Sequence, residues 1–124
     1  MYGTGFRGEL TGTPAAVANQ LESLGVPVLA VDIPSGVQGA TGAIDFVAVR
    51  ATETICFAAY KPGLLFEPGR SHAGRVAVVD IGIEVETDVE SALTVLDPSD
   101  LTLPEADPDA HKWSSGCLVV GGSN

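Results

Sequence analysis

The sequence predicts an α/β fold built on a Rossmann-like, three-layer parallel sheet. Three apolar runs support this prediction, because each is continuous rather than alternating, as in strands that are buried on both faces. Turns rich in glycine or helical segments separate the runs, which is typical of parallel strands joined by crossovers. The three runs are residues 28–31, 54–59 and 75–81.

One amphipathic helix is predicted ahead of the first run. Thr13 offers a hydroxyl that can cap free backbone amides, and Pro14 has a fixed φ that suits a first helical turn. Gly25 supplies the C-terminal stop. Apolar side chains recur at i, i+4 and i+7 and form the predicted buried face: Val17, Leu21 and Leu24.

The chain is expected to be an incomplete piece of a larger protein. A glycine-rich loop stands at its beginning with almost no strand ahead of it, and the final apolar run enters a second glycine loop with no helix behind it. Between them lies an acidic stretch with three prolines, which is typical of an interdomain linker. We therefore expect an incomplete sheet domain at 1–85, a linker at 86–110 and the opening strand of a second α/β domain at 111–124.

Composition excludes several classes of partner. The net charge is −10, from 16 acidic and 6 basic residues. The sequence therefore does not predict the basic surface that binding to nucleic acid or to an anionic membrane requires. Cys56 and Cys117 lie in apolar runs without a second ligand at metal-site spacing, which favours buried, reduced thiols. No apolar stretch approaches the length of a membrane span and no secretory signal is recognisable, so a cytoplasmic location is expected.

A glycine motif and a later carboxylate form the first candidate site. Residues 3–8 match GxGxxG, and Asp32 follows Gly8 by 24 residues at the end of the next strand. This pattern resembles a dinucleotide fingerprint, but the predicted helix begins well after Gly8, whereas the fingerprint requires the pyrophosphate directly on a helix N-terminus. A loop whose amides bind a phosphate-bearing ligand is therefore favoured over a hydride-transfer cofactor site, and a purely structural turn stays open.

Three further side chains carry possible chemistry. Asp32 is expected at the C-terminal edge of a parallel sheet, where ligands bind, and can serve as a general acid or base or merely cap the following turn. Ser35 is either a turn hydroxyl or an oxygen ligand for a hard cation. A serine-hydrolase role is disfavoured, because Ile33 stands where a nucleophile elbow needs glycine. Lys61 either presents its charge to a substrate phosphate or is an exposed lysine before a turn.

Taken in order, four motifs resemble those of the NAD(P)H-hydrate epimerase family. They are residues 3–8 (GTGFRG), 31–36 (VDIPSG), 61–63 (KPG) and 79–83 (VDIGI). The string DIPSG is the most specific of them. Beyond the linker, residues 111–112 (HK) and 118–123 (LVVGGS) look like the start of the ADP-dependent NAD(P)H-hydrate dehydratase domain, a ribokinase-like α/β domain that bacteria often fuse behind the epimerase.

The resemblance implies an isomerase that interconverts the R and S epimers of hydrated NADH and NADPH, which carry an added hydroxyl on the nicotinamide ring. By motif, Asp32 contacts the hydrated ring and is the candidate proton-transfer residue. Ser35 helps to coordinate a potassium ion. The first glycine loop surrounds the dinucleotide substrate, with the residues Gly3, Thr4, Gly5, Phe6, Arg7, Gly8 and Glu9.

The resemblance also implies that the full-length parent is a metabolite-repair enzyme with a lyase activity. Its dehydratase domain removes water from the S epimer with ADP or ATP, and that nucleotide site is expected beyond Asn124. The parent is a possible homo-oligomer. Two alternatives from other classes remain: a non-catalytic dinucleotide-binding module, and, less favoured, an NAD-dependent oxidoreductase.

Overall fold

The structure is a computed structural model that describes residues 2–85, 93–100, 108–109 and 111. The chain divides into two compact units, residues 1–93 and residues 94–124. The first unit contains the α/β elements. Among the described residues, no helix is long and apolar enough to cross a membrane. The predicted strand at 117–120 and the second cysteine, Cys117, lie outside the described residues.

Three strands form one parallel sheet, which confirms the predicted fold class. Strand β1 spans Leu29–Val31, β2 spans Glu53–Phe57 and β3 spans Arg75–Val79. They lie side by side in sequence order, and both neighbouring pairs are parallel. Because all three strands run in the same direction, their C-terminal ends meet at one edge of the sheet.

Helix α1 spans Gly12–Leu24 and ends at Gly25, whose φ of 61° is the left-handed conformation predicted for the stop. The predicted start is wrong, since Thr11 rather than Thr13 is the N-cap and makes no side-chain capping bond. The predicted buried face is also partly wrong. Ala18 is buried, whereas the exposed fractions of two residues of the predicted face are substantial: 37% for Val17 and 62% for Leu24.

The face of the sheet that carries Thr54 and Cys56 is packed. Cys56 is fully buried, as predicted for a reduced thiol. Thr54 is also fully buried, and its hydroxyl donates a 2.6 Å hydrogen bond to the carbonyl of Ala73. The short helix α2, Gly69–Ala73, contributes to this layer. The cluster around Cys56 consists of Ile33, Val37, Leu64 and Ala73.

The opposite face of the sheet is largely open and mostly apolar, apart from the paired Glu53 and Arg75. Leu29 and Val31 are 57% and 61% exposed, and Val79 at the other edge is 42% exposed. These residues share a face because the register pairs Val31 with Ile55, and Phe57 with Val79. In the first unit the layer packed on the sheet is therefore the one that carries the Cys56 cluster.

The described part of the predicted linker contains one turn of 3₁₀ helix, Pro98–Asp100. The Asp97 carboxylate accepts hydrogen bonds from the amide and the hydroxyl of Ser99, at 2.9 and 2.7 Å. The hydrogen bonds from Ser99 lower the pKa of Asp97. The boundaries at 85/86 and 110/111 stay predictions.

Candidate active site at the carboxyl edge of the sheet

Two neighbouring strands end in the same unusual turn. Asp32, directly after β1, has a φ of 68°, and Ala58, directly after β2, has a φ of 63°. In each case the following amide bonds the carbonyl two residues back: Ile33 N donates to Val31 O at 2.9 Å, and Ala59 N to Phe57 O at 2.7 Å. An i to i+2 hydrogen bond around a residue with positive φ defines the rarer, strained γ-turn.

The two turns are tied into the sheet in the same way. The Asp32 amide donates to Ile55 O of β2 at 2.7 Å, and the Ala58 amide donates to Val79 O of β3 at 2.9 Å. The ladder thus continues for one residue beyond each strand before the chain turns sharply. Strained backbone outside glycine persists only where its surroundings hold it, and it is concentrated at functional sites. The strained turns therefore indicate that this edge of the sheet is a candidate functional site.

The side chains of Asp32 and Lys61 form an ion pair at this edge. Lys61 Nζ lies 2.6 Å from Asp32 Oδ1 and also donates to the carbonyl of Phe57 at 2.7 Å. The amide of Phe57 donates to the same Asp32 oxygen at 3.2 Å. Each side chain of the pair is 21% exposed. The carboxylate is therefore held by a charged donor and a backbone donor, both from β2 and the segment that follows it.

The second oxygen of Asp32 remains available for a ligand. Oδ2 accepts no hydrogen bond from any residue in the described part of the chain. The side chain is mostly buried but still reaches solvent, so a ligand at the sheet edge can contact this oxygen. A carboxylate with one oxygen anchored and the other presented to a ligand can accept or donate a proton.

The charge state of Lys61 follows from its surroundings. Burial alone lowers the pKa of the ammonium, but the hydrogen bond to Asp32 and the negative charge of that carboxylate outweigh burial, and Cys56 acts in the same direction. The pKa is therefore raised above its usual value of roughly 10.4. The contribution of protonated Lys61 to folding stability is therefore present in full below its usual pKa. It is lost as the pH rises through the raised pKa. Lys61 is thus a cation throughout the neutral range.

Ser35 lies three residues beyond Asp32 and contacts Tyr2, the residue that directly precedes the glycine loop. Its side-chain oxygen accepts a 3.0 Å hydrogen bond from the Tyr2 amide and donates to the Tyr2 carbonyl at 3.3 Å. Ser35 is 8% exposed. A hydroxyl oxygen has two lone pairs, so one remains for a cation after the bond from Tyr2. Within the described ranges, no cluster of three His, Cys, Asp or Glu residues could hold a metal ion.

The glycine loop lies against the turn that follows Asp32. A Cβ placed on Gly39 would lie 3.8 Å from the Thr4 carbonyl oxygen, and the rings of Tyr2 and Phe6 are 5.0 Å apart. Phe6 packs against the cluster of Leu10, Ala18 and Val49. The other predicted loop residues are all exposed: Gly3, Thr4, Gly5, Arg7, Gly8 and Glu9.

The structure brings some of the predicted site residues together and leaves others apart. Ser35 bonds Tyr2, the residue that directly precedes the glycine loop, but Asp32 makes no hydrogen bond or ion pair with residues 2–9. Helix α1 begins at Gly12, four residues after Gly8, so the helix N-terminus does not follow the third glycine directly as a dinucleotide fingerprint requires.

A small cavity of about 280 Å³ lies beside β1, and Lys61 is not among the residues that line it. Its walls come from Tyr2, Leu21, Val28, Val49, the residues of β1 and turn residues 33–35. Asp32 does not line it. Ligand pockets commonly measure about 300 to 1,000 Å³, and this mostly apolar cavity lies just below that range. The Asp32 edge, rather than this cavity, is the candidate site.

The ion pair of Lys61 with Asp32 is the feature of the site that the sequence does not predict. Lys61 neither stands alone before a turn nor points its charge to solvent, because it is paired with Asp32. The signal is present but indirect: a lysine that closely follows one parallel strand reaches the carboxylate that ends the neighbouring strand. That proximity depends on β1 and β2 being adjacent, which sequence spacing alone does not give.

Comparison with known proteins agrees with the resemblance that the motifs predict. The sequence model of the family described as YjeF-related protein N-terminus matches residues 1–63. The bifunctional NAD(P)H-hydrate repair enzyme Nnr of Moorella thermoacetica is 40% identical over 99% of this chain and 24% of its own length. The NAD(P)H-hydrate epimerase of Levilactobacillus brevis is 39% identical over 74% of this chain and 43% of its own length.

A further bifunctional repair enzyme Nnr, from Salinibacter ruber, is 35% identical over 99% of this chain and 24% of its own length. The chain thus spans about a quarter of the bifunctional relatives and less than half of the single-function relative. The matched segment of the family, 63 of 124 residues, includes the glycine loop, Asp32, Ser35 and Lys61. The chain belongs to the YjeF-related N-terminal family, the family of the NAD(P)H-hydrate epimerases.

Proposed function

We propose that this chain contributes the catalytic carboxylate, Asp32, to an active site that interconverts the R and S epimers of hydrated NADH and NADPH. The observation that carries the proposal is the Asp32 carboxylate, which is anchored through Oδ1 and available at Oδ2. The names of the relatives support the substrate class. Inversion at the carbon that bears the added hydroxyl requires a bond to be broken and remade there, and a proton must move with it.

The geometry suits that role for Asp32. Oδ2 is the oxygen that contacts the hydrated ring, takes up a proton and returns it, because Oδ1 already accepts two hydrogen bonds. General acid or base catalysis by one positioned side chain contributes about 10²- to 10⁴-fold in rate. The open glycine loop beside the turn at Gly39 is the part of the chain that binds the phosphates of the dinucleotide.

The proposal extends to the full-length parent. The bifunctional relatives match 99% of the chain, well past the family segment that ends at residue 63. We therefore propose that the parent also dehydrates the S epimer with ADP or ATP. Residues 112–124, which are expected to begin that domain after His111, lie outside the described part of the chain.

The test is turnover of a single epimer. The full chain, as its gene encodes it, is incubated with purified R hydrate of NADH, and the two epimers are separated by chromatography over time. We expect the S epimer to appear faster than in a protein-free control until both epimers reach equilibrium. Binding of the hydrate without interconversion would favour the dinucleotide-binding module, and oxidation of NADH with a second substrate would favour the oxidoreductase.

Potassium is the cation proposed for Ser35. The Ser35 hydroxyl and the Tyr2 carbonyl are neutral oxygens 3.3 Å apart, a donor type that suits a hard cation of low charge. These two residues would hold part of the ion's coordination shell. When bound, the cation would supply positive charge beside the turn that carries Asp32.

Replacement of Ser35 by alanine is expected to remove the dependence on potassium. In the unchanged protein, we expect turnover to rise when potassium replaces a bulky organic cation. In Ser35→Ala we expect turnover to be lower and insensitive to that exchange, because one cation ligand is gone. The control is Ser23→Ala on the exposed side of α1, where the hydroxyl bonds the Asn19 carbonyl. Equal potassium dependence in Ser35→Ala and the unchanged protein would refute the ligand assignment.

A further inference from the structure

The Lys61 ammonium is fixed at two points of the sheet edge. It donates to Asp32 Oδ1 at 2.6 Å and to the Phe57 carbonyl at 2.7 Å. The Phe57 carbonyl also accepts the bond that closes the strained turn at Ala58. The turn after β2 therefore fixes the position of the Lys61 ammonium. The ammonium then holds the carboxylate of Asp32, which lies in the turn after β1.

This ion pair differs from the other two in the described part of the chain. The Arg50 and Glu22 side chains are 50% and 63% exposed with 3.6 Å between the charged atoms, and Arg75 is 79% exposed in its pair with Glu53. Exposed ion pairs of this kind contribute little to stability and do little to hold their side chains in one position, because solvent screens the charges. The Asp32 and Lys61 side chains are only 21% exposed, and backbone groups of Phe57 bond both partners.

The same contacts argue against a phosphate-binding role for the lysine. An ammonium has three donors, and two of them are already committed to Asp32 and Phe57. Its charge is also balanced at close range by the carboxylate. A substrate phosphate would have only the one remaining N–H of Lys61, and it would lie beside the negatively charged carboxylate of Asp32.

Resting on the proposed epimerase function, we propose that Lys61 is a positioning residue for the reaction. It occupies Oδ1 of Asp32 and holds the carboxylate in its strained turn, so that Oδ2 is the oxygen that exchanges a proton with the substrate. A loss of alignment of about 1 Å at a reacting group can lower a rate by about 10²-fold. The lysine therefore acts on the rate of the chemical step rather than on substrate affinity.

The experiment compares Lys61→Met and Lys61→Arg with the unchanged full chain in the assay for R and S interconversion. We expect Lys61→Met to lower kcat by about 10- to 100-fold with KM within about threefold. Lys61→Arg keeps the charge, so we expect it to recover part of kcat. Arg75→Met, which breaks an exposed pair, is the matched control and is expected to keep the full rate. Thermal melting of all variants tests whether each is folded.

The outcomes separate this proposal from the function on which it rests. A Lys61→Met variant that keeps kcat overturns the positioning role while the epimerase function stands. A raised KM at unchanged kcat also overturns it, in favour of a substrate contact. Equal losses of rate in both Lys61 variants, each with a large loss of melting temperature, would show a role in folding instead. An unchanged protein without any epimerase activity refutes the proposed function itself.

Discussion

Asp32→Asn is expected to lower the rate of epimer interconversion by about 10²- to 10⁴-fold, the range that one general acid or base contributes. The amide of asparagine cannot take up a proton from the substrate at neutral pH. The fold should survive, because asparagine tolerates the left-handed backbone that Asp32 adopts at a φ of 68°. Its carbonyl oxygen can still accept the bonds from Lys61 and Phe57. The measurement is kcat in the single-epimer assay, with thermal melting alongside.

The chain provides a closely matched control in Asp80. The sequence Val-Asp-Ile occurs at residues 31–33 and again at 79–81, each time at the end of a strand of the same sheet. Asp80 is exposed, and its carboxylate bonds the Gly82 amide. We expect Asp80→Asn to keep the full rate. If Asp32→Asn were as active as Asp80→Asn, the proton-transfer role of Asp32 would be excluded.

Comparison of these two aspartates shows how far sequence reasoning reaches. The continuous apolar runs predict the strands and their parallel arrangement, and the position after a strand predicts that Asp32 lies at the carboxyl edge. The same local pattern also describes Asp80. The difference between them arises from tertiary structure. The segment after β2 brings Lys61 to Asp32 at the end of β1, whereas Asp80 at the end of β3 has no charged partner among the described residues.

Helix α1 shows a second limit of the sequence pattern. Large apolar residues at i, i+4 and i+7 predict a buried stripe, but the residues that pack are Ala15, Ala18 and Leu21. A helix face of alanines can approach its neighbours closely, and close packing rather than side-chain size then decides which face is buried. Hydropathy ranks Val17 and Leu24 above alanine, so it predicts that these two residues are buried, whereas the structure buries the neighbouring alanine face.

The Lys-Pro-Gly motif is explained by the structure in a way that a resemblance alone does not provide. Lys61 pairs with Asp32, and Gly63 lies two residues further along, where the chain passes close to the loop that follows Ser35. The Gly63 amide donates a 2.8 Å hydrogen bond to the Gly39 carbonyl. One short segment thus carries both a charged group of the site and the contact that holds the segment in place.

Gly63→Ala is accordingly expected to destabilise the protein strongly. A Cβ at this position would clash with the Gln38 carbonyl oxygen, and it would lie 2.7 Å from the Gly42 amide nitrogen and 2.9 Å from the Gly39 carbonyl oxygen. All three are backbone atoms, so no side-chain rotation relieves the clash. Overpacking in a well-packed region typically costs about 1 to 3 kcal/mol. We expect the upper end of that range, because the whole loop after Ser35 must move.

The measurement is the melting temperature with its unfolding enthalpy, and Gly5→Ala is the control. A methyl group added at Gly5 would meet no described atom within 4 Å, and the φ of Gly5 is not positive, so this replacement should leave stability nearly unchanged. A loss of about 3 kcal/mol lowers Tm by roughly 12 °C or more in a domain of this size. Since displacement of the Gly63 loop also shifts Lys61, residual folded Gly63→Ala should show reduced kcat. Equal melting temperatures for the two variants would contradict the close approach of these loops.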